Sequence, residues 1–95
     1  DMEMTMSEHD AIMGYPCEIA VKAMGRTDLD IDFEGLVVEI VRRHASDLGE
    51  GAVTSRKSRN GNYVAVTVRV MAENREQMDR IYQELCDHEH VTMAL

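Results

Sequence analysis

No tryptophan occurs in the 95 residues, phenylalanine occurs once and tyrosine three times. A base-stacking platform for single-stranded nucleic acid needs several exposed aromatics, so that function is not expected. Basic residues are scarce: 10 stand against 18 acids, for a formal net charge of -8. This argues against non-specific binding to nucleic acid or to an anionic membrane, both of which need a positive surface. No apolar run approaches the roughly 18 residues of a membrane-spanning helix. Residues 1–10 are acidic and methionine-rich, without the basic start and apolar run of a secretory signal, so a cytoplasmic location is expected. The chain begins at Asp1, and Met4 and Met6 are the candidate natural starts. The two cysteines, Cys17 and Cys86, form no C-x-x-C pair and are expected as free thiols. The lone proline is Pro16.

Hydrophobic residues make up 44% and charged residues 29%, a globular balance rather than a disordered one. The length predicts one domain. Residues 1–12 lack periodicity and read as a flexible tail, leaving 13–95 as the domain.

Residues 17–24 alternate, with Ile19, Val21 and Ala23 on one face, and predict a half-buried strand that Gly25 ends. Asp30 and Asp32 are candidate caps for a helix reaching about Ser46, with Phe33, Leu36, Val37, Ile40 and Val41 as its apolar stripe. Acids at its start and Arg42, Arg43 and His44 at its end complement the helix dipole. Val38 falls on the polar side. Residues 52–58 predict a polar edge strand guarded by Arg56 and Lys57. Arg59-Asn60-Gly61-Asn62 is the strongest turn signal in the chain, since Asn-Gly tolerates the positive φ that a tight hairpin needs. Residues 63–71 form the strongest strand, with Val64, Val66, Val68 and Val70 at period two.

Asn74 and Gln77 form a capping-box pattern for a second helix. Its buried stripe is Met78, Ile81, Tyr82 and Leu85, supported by an i,i+4 pair between Glu76 and Arg80. Val91, Met93 and Leu95 alternate in a closing strand.

The order β-α-β-β-α-β, with one apolar face per element, predicts an α+β two-layer sandwich. With right-handed crossovers the antiparallel sheet has the order 4-1-3-2 of the ferredoxin-like fold. The free sheet face should display Ala20, Lys22, Ala65, Thr67, Arg69, Thr92 and Ala94. It lacks the aromatics of an RNA-recognition motif.

No cofactor and no catalytic centre are expected. The serines follow no nucleophile-elbow pattern, and no glycine-rich phosphate loop occurs. Cys86, His88 and His90 lack the second ligand pair of a structural zinc site. They read instead as a polar helix end. Charge, however, is segregated. Residues 1–35 carry net -7, residues 36–72 net +3 and residues 73–95 net -4. Arg56, Lys57 and Arg59 therefore make a basic hairpin on an acidic body, a candidate partner-docking site. The loop of Gly25, Arg26, Thr27 and Asp28 is a second candidate. Backbone donors before a helix attract carboxylates, and glycine permits close approach.

Several segments together resemble the YbeD-like family of small proteins. They are Val21-Lys22-Ala23-Met24-Gly25, Arg43-His44-Ala45, Gly61-Asn62-Tyr63, Ile81-Tyr82-Gln83-Glu84-Leu85 and the terminal Val91-Thr92-Met93-Ala94-Leu95. They lie in register over residues 9–95. The resemblance implies a fold similar to ACT regulatory domains, which sense amino acids or similar ligands, often between subunits. It also implies a possible homo-oligomer and, through the lipoate-attachment enzymes often encoded beside members, a partner enzyme. The expected function is a non-enzymatic regulatory module. It would bind a small carboxylate or a partner enzyme through Gly25, Arg26, Thr27 and Asp28. The alternative is a ligand-free adaptor docking by the basic hairpin or an exposed sheet edge.

Overall fold

A computed structural model describes residues 14–49 and 51–95; the tail expected over 1–12 lies outside them. The elements are β1 (Cys17–Arg26), α1 (Phe33–His44), β2 (Val53–Lys57), β3 (Tyr63–Ala72), α2 (Arg75–Asp87) and β4 (Met93–Ala94). The antiparallel sheet has the order β2-β3-β1-β4, which is 4-1-3-2 read from the other edge. The two helices cover one sheet face, as the ferredoxin-like reading requires. No helix among the described residues is long and apolar enough to cross a membrane.

The central pair dominates. β1 and β3 match ten residues each, from Cys17 opposite Ala72 to Arg26 opposite Tyr63. Alternation then sends Val21 and Ala23, with Val66, Val68 and Val70, into the core with essentially no exposed surface. Val37, Ile40 and Val41 of α1 and Met78, Ile81 and Leu85 of α2 close over them. Val38, placed on the polar side by the sequence, is half-buried and packs against the same core.

Asp32 is the α1 cap: its carboxylate accepts the Gly35 N–H at 3.1 Å. The helix ends at His44, two residues before the expected end. Asn74 caps α2 by accepting the Gln77 N–H at 2.8 Å, and the Gln77 amide oxygen accepts the Glu73 N–H. Gln77 Nε2 also donates to the His44 carbonyl at 2.9 Å. One side chain thus joins the start of α2 to the end of α1. His44 Nε2 lies 2.8 Å from Glu84 Oε1, and Arg43 pairs with the other Glu84 oxygen. The i,i+4 ion pair on α2 is Arg75–Asp79 at 3.9 Å, in place of the Glu76–Arg80 pair expected.

Two local expectations change and a third holds. β1 does not stop at Gly25 but runs to Arg26, because Gly25 pairs with Val64 and lies buried. The hairpin turns over Arg59 to Asn62, as expected: Ser58 N–H donates to the Tyr63 carbonyl, and Gly61 N–H donates to the Ser58 carbonyl. Within that loop only Gly61 takes a positive φ, of 77°, and Asn60 keeps an ordinary backbone. Finally, β4 inverts. Ala94 opposite Ala23 faces the core, while Met93 opposite Met24 faces outward and is 48% exposed. Val91 sits in the turn after α2, its N–H on the His88 carbonyl. Period-two reasoning therefore cannot be carried from Val91 into β4.

Gly25 answers to space rather than to backbone angle. A Cβ there would sit 2.6 Å from Cζ of Phe33 and closer still to Cε1. Phe33 is the first residue of α1 and only 6% exposed. Gly25→Val is expected to destabilise the fold by about 1–3 kcal/mol through overpacking. Urea denaturation of the full chain checks this, a fall in midpoint with unchanged slope being the expected result.

Candidate functional site

The two segments singled out in the sequence meet at one end of the sheet. Past β1, Thr27 N–H donates to the Asn62 carbonyl at 3.0 Å, and its hydroxyl donates to the Gly61 carbonyl at 2.5 Å. The loop after β1 is therefore fastened to the tip of the β2–β3 hairpin. The tip is itself braced. Asn60 Oδ1 accepts from the Ser58 hydroxyl at 3.0 Å and from the Asn62 N–H at 3.1 Å. Ser58 Oγ in turn accepts the Tyr63 N–H at 3.1 Å.

Within the loop, Arg26 and Asp28 pair with each other, Nε to Oδ1 at 2.9 Å. The hydrogen bond to Asp28 and its charge raise the Arg26 pKa. The Asp28 carboxyl is held below the usual carboxylate range, chiefly by its hydrogen bond from Arg26. Both side chains are exposed, and the pair satisfies them locally. The approach to α1 is acidic, with Asp28, Asp30, Asp32 and Glu34 in close succession. The cap oxygen of Asp32 already occupies the helix start.

The hairpin differs. Arg56, Lys57 and Arg59 are exposed and form no ion pair among the described residues. Next to them lies an open depression of about 250 Å³, lined by Met24, Arg56, Lys57, Ser58, Tyr63 and Ala65. Its floor is apolar, and Arg56, on the same sheet face as Ala65, supplies a cation at its rim. A larger groove of about 500 Å³ runs beside α1 past Ile31, Leu36, Glu39 and Arg43 to His88. There Arg43 is committed to Glu84 and Glu39. A third hollow of about 340 Å³ includes Arg69, which is paired with Glu18 at 3.1 Å and donates to the Gly51 carbonyl. Of the three, only the hairpin depression has cations without a partner among the described residues.

Sequence reasoning missed the apolar character of the open sheet face. Met71, Met93 and Leu95 are 55%, 48% and 63% exposed, and Lys22 and Leu95 exchange backbone hydrogen bonds at 3.1 and 2.8 Å. Tyr63 walls the hairpin depression, a role that its place at the start of β3 does not signal. No feature of the sequence signals the link from Thr27 to the hairpin, since it joins residues 34 positions apart.

His88 and His90 lie with ring centroids 5.5 Å apart. Nδ1 of His88 accepts the His90 N–H at 3.1 Å. His44 bonds instead to Glu84, four residues before His88.

Comparison with known proteins supplies the relationships. The family described as "Protein of unknown function (DUF493)" matches residues 10–95. A UPF0250 protein of Neisseria gonorrhoeae is 41% identical over 93 residues, covering 97% of this chain and all of the relative. A UPF0250 protein of Chromobacterium violaceum is 40% identical over 89 residues, covering 93% and 97%. One from Nitrosomonas europaea is 37% identical over 86 residues, covering 90% and 97%.

The Arg26–Asp28 pair gives a direct test of the loop. In an NMR titration the Asp28 carboxyl should have its midpoint below the ordinary aspartate value, and Arg26→Gln should move it back up. The sign follows from linkage. A lowered folded-state pKa contributes stability above the unfolded pKa, lost as pH falls through the folded value. Exposure of the pair to solvent keeps that contribution small. An Asp28 midpoint unaffected by Arg26→Gln would mean that the pair does not persist in solution.

Proposed function

The chain belongs to the UPF0250 (DUF493) family, the YbeD-like family that its sequence resembles, and from that premise we propose that it is a small, cytoplasmic, non-enzymatic regulatory module. Its role is to dock on a partner protein, an enzyme with an acidic surface. The docking surface is the hairpin end: Arg56, Lys57 and Arg59, backed by the loop of Gly25, Arg26, Thr27 and Asp28.

One observation carries this reading. The three hairpin cations have no partners among the described residues, and they stand on a tip braced by Asn60 and fastened to β1 by Thr27. A rigid positive projection on a chain of net charge -8 steers encounter with an acidic surface and fixes its orientation. Bracing also lowers the ordering cost that a loose loop would meet on binding. The geometry favours docking over capture of a small carboxylate at the loop. There Gly25 is filled by the Phe33 ring, Arg26 is held by Asp28, and the helix start is surrounded by acids. In this reading the loop is the support and the hairpin the contact.

The test is charge reversal. The variant Arg56→Glu, Lys57→Glu, Arg59→Glu should keep its circular dichroism spectrum, because all three side chains are exposed. It should lose association with the partner recovered by the parent chain, and the parent's association rate should fall as salt rises. Equal association by the parent and the reversed variant would overturn the reading.

A further inference from the structure

β2 is an outer strand of the sheet. Antiparallel ladders alternate, so every second residue turns its N–H and C=O away from the neighbouring strand. Here Arg69 N–H donates to the Ala52 carbonyl and Ser58 N–H to the Tyr63 carbonyl. With Thr54 opposite Thr67 and Arg56 opposite Ala65, residues 52, 54, 56 and 58 bond toward β3. The N–H and C=O groups of Val53, Ser55 and Lys57 therefore point outward, with no strand beside them among the described residues. The opposite edge is different, because β4 contributes only Met93 and Ala94.

We propose that the β2 edge accepts an extended acidic segment of a partner protein as a fifth strand, with an apolar side chain of that segment seated in the depression walled by Met24, Tyr63 and Ala65. This deepens the hairpin docking proposed above and rests on it. The pattern of charges selects the occupant. Arg56 shares the open face with Ala65, whereas Lys57 projects to the helix side. Consecutive acids on an added strand would meet these two cations on opposite faces. The next residue along, level with Ser58 on the open face, reaches the 250 Å³ depression. Toward the other end, Glu34 accepts the Ser55 hydroxyl and disfavours a third acid on the helix side. The preferred segment thus reads apolar, acid, acid, then neutral. A second copy fits poorly, because two β2 strands paired on each other bring two sets of the same three cations to one seam.

The experiment uses the full chain and a peptide of roughly eight residues, with a leucine followed by two glutamates in a threonine-valine host. NMR hydrogen exchange at saturating peptide should slow the amides of Val53, Ser55 and Lys57 about tenfold or more. The amides of Thr54 and Arg56, already bonded to β3, should change little. Replacing both glutamates by glutamine should weaken binding about tenfold. Ser55→Pro removes an outward N–H and no ladder bond, so it should abolish the slowing; Val53→Pro is a second variant should the first not fold. Unchanged exchange at the three amides under saturation would overturn the proposal. So would protection of the same amides in a free chain that sediments as a dimer, since a second copy would then hold the edge. If Arg56→Glu with Lys57→Glu weakens the peptide while exchange and Ser55→Pro have no effect, strand addition fails and hairpin docking stands. If neither has an effect, both fail.

Discussion

The packing of Phe33 over Gly25 is the constraint on which the arrangement of this end of the molecule depends. A side chain at position 25 would overlap the ring, so helix and strand meet closely only because none is there. That contact lets β1 continue beneath the start of α1 as far as Arg26. From there the chain reaches the hairpin, and Thr27 bonds to Gly61 and Asn62. The helix start, the end of the central strand and the hairpin tip are thereby joined through a missing methyl group. A glycine that looks like a point of ligand access is occupied from within.

The second organising element is the division of charge between satisfied and unsatisfied groups. Arg26, Arg43, Arg69 and Arg75 all have carboxylate partners. Surface pairs of this kind contribute little to stability, at about 0–1 kcal/mol each. They do decide where an outside anion finds an available cation. The hairpin keeps its charges available while its backbone is held by side-chain bonds from Ser58 and Asn60. Rigidity and availability coincide there.

Much of this architecture is legible in the amino-acid order. The β-branched alternation of Val64, Val66, Val68 and Val70 and the helical spacing of Phe33, Val37, Ile40 and Val41 specify their elements, because burial enforces one face. The Asp32 and Asn74 caps are local and equally readable. Legibility ends where local rules give way to tertiary ones. Met93 and Leu95 continue the phase of Val91 only if a strand spans all of them, and the turn at His88 to Val91 breaks that continuity. Arg80 and Glu76 have helix-pair spacing, yet it is Arg75 that finds Asp79. At the hairpin, the cations could be read from composition, but their fastening to Thr27 could not, because it is a contact between distant parts of the chain. Gly25 was visible as special while its cause, the ring above it, was not.

The shortness of β4 has a consequence for stoichiometry. A sheet with two long open edges can take a strand on each side, and such molecules can chain together without limit. Here one margin runs for five residues and the other for two. Growth by edge pairing is then one-sided: a strand laid against β2 completes the sheet and leaves no comparable site for the next. The asymmetry permits a pairwise complex while working against a filament.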